Sequence, residues 1–93
     1  MAKIKEVVIE SYLREQILKH FPMAQIHKYT PRRSEPDRII LLPGGRAIFV
    51  ETKRPGKEPR EEQYRALKRL RELGFMALWL DTREEVDALI GRL

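Results

Sequence analysis

Asp37-Arg38-Ile39-Ile40-Leu41-Leu42-Pro43-Gly44-Gly45-Arg46-Ala47-Ile48-Phe49-Val50-Glu51-Thr52-Lys53 is the stretch on which the fold turns. Two short runs rich in Ile, Val and Phe, split by Pro-Gly-Gly, predict a β-hairpin. A loop centred on Gly44 sets Asp37 directly opposite Glu51. Opposed side chains share a face, with Cβ atoms about 5 Å apart. Side chains alternate along a strand, so Lys53 joins Glu51 on that face and Thr52 takes the other. The hairpin thus ends in two carboxylates and one ammonium. A loop centred between Gly44 and Gly45 would pair Asp37 with Thr52 instead.

Both faces of the hairpin are apolar. Ile39, Leu41, Ala47 and Phe49 line one, and Ile40, Leu42, Ile48 and Val50 line the other. A sheet covered on both sides reads this way. The expected fold class is therefore α/β, a small mixed sheet flanked by helices. Upstream, Lys3 to Phe21 predicts an amphipathic helix with Ile9, Leu13, Gln16 and Ile17 on one face beside Val8 and Tyr12. Glu6 and Glu10 fall within or beside that apolar sector. Each is either paired, metal-bound or at the rim. Taken singly, Glu6 suits an exposed first turn favoured by the helix dipole, and Glu10 can reach out to water.

Met23 to Tyr29 reads as a short strand entering a loop from Pro31 to Pro36, where Pro36 holds Glu35 extended. His27 has no His or acid at metal-ligand spacing and reads as structural. Downstream, Arg54-Pro55-Gly56-Lys57-Glu58-Pro59 breaks the strand. A second helix is expected from Pro59, with Tyr64, Leu67 and Leu70 inward, Gln63 on the inward side, and Gly74 closing it. Phe75 to Leu80 is an apolar strand. Strand, helix and strand with short links imply a right-handed crossover and a parallel partner for Ala47–Lys53. Thr82 with Glu85 predicts a capping box for a last helix bearing Val86, Leu89, Ile90 and Leu93.

The 93 residues suit one domain spanning 1–93. Cysteine is absent, which excludes disulfides and thiolate metal sites. No apolar run approaches membrane-spanning length, and the N-terminus lacks a signal-peptide pattern, so no membrane partner and a cytoplasmic location are expected. The net charge of +5 is unevenly spread. From Lys28 to Arg71 thirteen Lys and Arg face six Asp and Glu, a balance of +7. The excess surrounds the hairpin, where a polyanion would dock. Lys28, Arg32, Arg33, Arg54 and Lys57 are the candidate phosphate contacts.

Two carboxylates side by side repel unless something positive lies between them. Mg²⁺ or Mn²⁺ takes oxygen ligands and keeps positions open for water and phosphate. A metal on Asp37 and Glu51 would polarise a phosphodiester and lower the pKa of its water. Lys53 is placed to meet developing charge, Glu10 to reach in from the first helix, and Gln63 to bond the phosphate or orient Lys53. The competing reading has Lys53 paired with Glu35 or Glu51 and Asp37 capping a loop, in a basic binding module without chemistry.

Pro36-Asp37 with Glu51-Thr52-Lys53 resembles the PD-(D/E)XK nuclease superfamily. The ordered series Ile9-Glu10, Pro36-Asp37-Arg38-Ile39, Gly45 to Gly56, Gln63 and Leu73-Gly74-Phe75 is more specific. It resembles the VRR-NUC branch, the virus-type replication-repair nuclease domain, across nearly the whole chain.

The resemblance implies a PD-(D/E)XK nuclease-like core and a Mg²⁺- or Mn²⁺-dependent endonuclease acting on structured DNA. Glu10, Asp37 and Glu51 would serve the metal with the Thr52 carbonyl, Lys53 would be the catalytic lysine, and Gln63 the motif glutamine. No small-molecule cofactor is implied. The chain resembles stand-alone phage and bacterial members, which implies a homodimeric Holliday-junction resolvase in a bacterial or phage-infected cell. Ser34 stands where the family usually has glycine. A flap or nicking nuclease on the same fold, a silent DNA-binding module, and a dimerisation or toxin-partner protein are the competing functions.

Overall fold

The computed structural model describes residues 4–93. Three helices and four strands follow in the order α1 (Glu6–His20), β1 (Gln25–Lys28), β2 (Arg38–Leu42), β3 (Arg46–Thr52), α2 (Glu61–Glu72), β4 (Met76–Leu80) and α3 (Arg83–Gly91). The strands form one sheet in the order β1-β2-β3-β4. The first two pairings are antiparallel and the third is parallel. This is the expected mixed sheet with a hairpin and a crossover strand.

Hairpin register follows from its loop. Leu42 faces Arg46, Ile40 faces Ile48 and Arg38 faces Val50. The next step along this register brings Asp37 to Glu51. Gly44 and Gly45 have φ of 85° and 74°, a left-handed pair that side-chain-bearing residues adopt at a cost. On the far side, the Tyr29 N–H donates to the Asp37 carbonyl at 2.9 Å, extending β1's pairing past the end of β2. Asp37 is thereby held between two strands.

Alternation sorts the core into two layers. Ile40, Leu42, Ile48, Val50 and Leu80 pack with Ile9, Leu13 and Ile17 of α1 and Val86 and Leu89 of α3. Phe49 and Ala77 pack with Leu67 and Leu70 of α2 on the opposite side. Tyr12 Oη donates to Asp87 at 2.7 Å and ties α1 to α3.

Several boundaries and faces differ from expectation. The first helix begins at Glu6, and Lys3 lies outside the described residues. The second begins at Glu61 after a buried Pro59. Its inward residues are Gln63, Ala66, Leu67 and Leu70, whereas Tyr64 is 37 % exposed. Starting the helix two residues later does not alter its wheel. Rather, Gln63, Ala66, Leu67 and Leu70 form the buried stripe, and Tyr64 lies at its rim. At α3, Thr82 Oγ1 accepts from the Glu85 N–H at 3.1 Å, while the Glu85 carboxylate reaches the Asp81 N–H, one residue before the cap. No helix among the described residues is long and apolar enough to cross a membrane.

The two faces of α1 make a direct test of this layering. Leu13 is 1 % exposed and Leu18 38 %. Leu13→Ala should cost about 2–5 kcal/mol in chemical denaturation. Leu18→Ala should stay within about 1 kcal/mol. Equal losses would contradict the assignment of faces.

Candidate active site

The site lies where β2 begins and β3 ends. Register carries Asp37 and Glu51 there, and burial sets their chemistry. Glu51 is 4 % exposed and Thr52 is fully buried. One Asp37 oxygen, Oδ2, accepts from Thr52 Oγ1 at 3.2 Å. The other, Oδ1, is buried with no hydrogen-bond partner. Glu51 Oε1 accepts from Gln63 Nε2 at 3.2 Å, and Gln63 Oε1 in turn accepts the Arg60 N–H at 2.8 Å. Gln63 thus caps α2 and holds Glu51 in one step.

These surroundings oppose ionisation. Burial pushes the Glu51 carboxyl up from its usual 4.5 to about 7, and the Asp37 charge adds to the rise while Lys53 works against it. Asp37 is also raised, again chiefly by burial, with Arg38 and the Thr52 hydroxyl pulling it down. The charge of Glu6 raises both. Both carboxyls are thus held above their usual range, chiefly by desolvation.

Lys53 stands at the same mouth. Its N–H donates to the Leu80 carbonyl at 2.8 Å, which continues the β3–β4 pairing and holds the residue beside Glu51. The following loop is pinned by the Gly56 N–H, which donates to Asp81 Oδ2 at 3.0 Å. A groove of about 410 Å³ opens there, lined by Ile4, Arg54, Pro55, Gly56 and Lys57. Lys28, Arg32 and Arg33 are exposed on the β1 side.

Glu10 is engaged elsewhere. Arg38 Nε donates to Glu10 Oε1 at 2.9 Å, and Arg38 Nη2 bonds the same oxygen. Arg38 Nη1 also donates to the Asp37 carbonyl at 2.9 Å. Among the described residues no group of three or more His, Asp and Glu side chains is gathered closely enough to hold a metal. The structure therefore brings Asp37, Glu51, Lys53 and Gln63 together and leaves Glu10 bracing Arg38.

The two carboxylates and the Thr52 backbone fit a hard divalent cation. Mg²⁺ is commonly held by one or two carboxylates, with water and substrate phosphate completing its shell. The unpartnered Asp37 Oδ1 is the atom such an ion would satisfy. Three contributors were not read from the sequence: the Thr52 hydroxyl, the Arg38 guanidinium and the Gln63–Glu51 bond. Arg38 follows Asp37 in a strand and so faces α1, which is the signal that would have matched it to Glu10.

No family model matches the chain. A phage protein named "Putative nuclease p44", from Acyrthosiphon pisum secondary endosymbiont phage 1, is 38 % identical over 84 residues, covering 90 % of each chain. A solved structure described as a VRR_NUC domain superposes with a TM-score of 0.82 at 27 % identity, over 95 % of this chain and 96 % of that one. The chain belongs to the VRR-NUC family. VRR-NUC nucleases are generally dependent on divalent metals.

A raised carboxyl has a thermodynamic signature. The folded VRR-NUC chain holds the Glu51 proton more tightly than the unfolded one. Its contribution to stability is present below pH 4.5 and is lost as pH rises through about 7. In EDTA, the melting temperature should fall between about pH 5 and pH 8, and fall less in Glu51→Gln. Parallel profiles for the two proteins would contradict a raised Glu51.

Proposed function

We propose that the protein is a divalent-metal-dependent, structure-specific DNA endonuclease that hydrolyses phosphodiester bonds, and that four-way junctions are its principal substrate. The observation that carries this reading is the pairing of a buried Glu51 with a half-buried Asp37, one of whose carboxylate oxygens is buried and unpartnered, beside Lys53. A purely structural pair in a basic domain would be neutralised by a neighbouring cation. Here Arg38 bonds Glu10 and the Asp37 carbonyl, and among the described residues neither it nor Lys53 forms an ion pair with the Asp37 or Glu51 carboxylate.

Asp37, Glu51 and the Thr52 carbonyl would hold Mg²⁺ or Mn²⁺, with Glu10 joining if it exchanges Arg38 for the ion. Bound there, the ion supplies Lewis acidity to the phosphate and a lower pKa for the attacking water. The chain's own groups do the remainder. Gln63 fixes one Glu51 oxygen and so aims the other. Lys53 brings an ammonium to the non-bridging oxygens, where charge grows as the bond to the leaving oxygen lengthens. Thr52 Oγ1 fixes the rotation of the Asp37 carboxylate.

Substrate choice rests on the charge map and the family. Lys28, Arg32, Arg33, Arg54 and Lys57 are exposed on both sides of the site. Among the described residues, the ion pairs are Arg38–Glu10, Arg60–Glu62 and Arg65–Glu61, so these five cations remain available to phosphates. The junction preference follows from the resemblance to stand-alone members. A two-fold homodimer would present two sites to the two symmetric strands of a junction.

Labelled four-way junction, flap and linear duplex, each with Mg²⁺, Mn²⁺ or EDTA, test the reading. Symmetric, metal-dependent nicking of the junction is expected. Lys53→Ala should reduce the rate at least about 100-fold with melting unchanged. Flap cutting alone would overturn the junction preference, and no cutting of any substrate would overturn the enzyme.

A further inference from the structure

The Asp37–Glu51 site has aromatic neighbours that the proposed hydrolysis does not use. In the β3–β4 register Trp79 pairs with Glu51. Their side chains leave the same face of the sheet, from strands about 4.8 Å apart. Tyr64 follows Gln63, which holds the Glu51 carboxylate. The Tyr64 and Trp79 rings meet edge to face, with centroids 6.2 Å apart and planes at 89°.

This pair is not sealed in the core. Ala66 and Leu67 of α2 are each 1 % exposed, but Tyr64 is 37 % exposed. Trp79 is half-buried, on the strand that forms the open edge of the sheet. The Tyr64 hydroxyl donates to Glu58 at 3.3 Å, which restrains the ring without covering it. The positive charges of Lys53 and Arg60 act on the Glu51 carboxyl, with which Trp79 pairs. An aliphatic pair would seal the end of α2 equally well. Two partly exposed aromatic rings beside the Glu51 carboxylate suit a nucleobase.

We infer that the corner between Trp79 and Tyr64 is a platform for an unpaired nucleobase of the DNA substrate, stacked on one ring and edge-on to the other, next to the phosphate that is cut. Every base has a π face, so such a platform is tolerant of sequence. It is selective for structure, because a base locked in a duplex stack cannot reach it. A branch point that leaves a base unpaired offers it at the lowest unstacking cost. The inference rests on the nuclease reading above and specifies which part of a branched substrate the protein grips.

Trp79 is the single tryptophan of the chain, so its emission reports on this contact alone. The test uses the whole protein in EDTA, which keeps the DNA intact, with a duplex bearing an unpaired thymidine flap and the same duplex fully paired. The flap should quench Trp79 at saturation, and the paired duplex should not. By fluorescence anisotropy, Tyr64→Leu and Trp79→Leu should each weaken flap binding about 5- to 100-fold. Duplex affinity should change less than about twofold.

Trp79→Phe keeps a ring and the packing, and should retain most of the flap preference even if Trp79→Leu folds poorly. Equal quenching by both DNAs, or unchanged flap affinity in Tyr64→Leu, would overturn the platform while leaving the nuclease reading intact. Failure to bind any DNA would overturn both.

Discussion

Asp37 and Glu51 are like charges that the hairpin register forces together, and much of the structure exists to hold them there. The turn at Gly44-Gly45 sets the register, β1 clamps the Asp37 backbone, and β4 clamps Lys53. Folding therefore does work against the repulsion and desolvation of two carboxyls. Their raised pKa values are that work expressed as proton affinity. A site destabilised in this way gains most when a cation arrives, because the ion removes both penalties at once.

The supporting residues share out the roles by face. Thr52, on the α1 side of β3, hydrogen-bonds Asp37. Gln63, from α2 on the other side, hydrogen-bonds Glu51. Arg38 links α1 to the strand backbone at Asp37 through Glu10. From the helices, α2 thus braces one carboxylate directly, through Gln63, while α1 reaches only the Asp37 backbone, through Glu10 and Arg38.

Much of this was legible in the sequence because it depends on periodicity. Alternation in Ile39–Leu42 and Ala47–Val50 announced a sheet covered on both sides, while the Pro-Gly-Gly turn left two registers open, of which the structure takes the one centred on Gly44. The crossover to β4 followed from short links. What stayed hidden depends on packing. Periodicity alone could not show that Ala66, rather than Tyr64, faces inward from α2. Nor could it show that Gln63 would bond Glu51, since a side chain amide serves a phosphate, a lysine or a carboxylate equally well. The partner of Glu10 was hidden for a similar reason. The helical wheel places both Glu6 and Glu10 near the sheet, and only the position of Arg38 across the layer separates them.

Metal binding to the paired carboxylates is the claim on which the account rests, and isothermal calorimetry of Mn²⁺ binding tests it most directly. Wild-type protein should bind the ion with release of protons to buffer near pH 7, because Glu51 must ionise to take it. Asp37→Asn and Glu51→Gln should each abolish that binding while remaining folded. Full-stoichiometry Mn²⁺ binding in both variants would contradict the account.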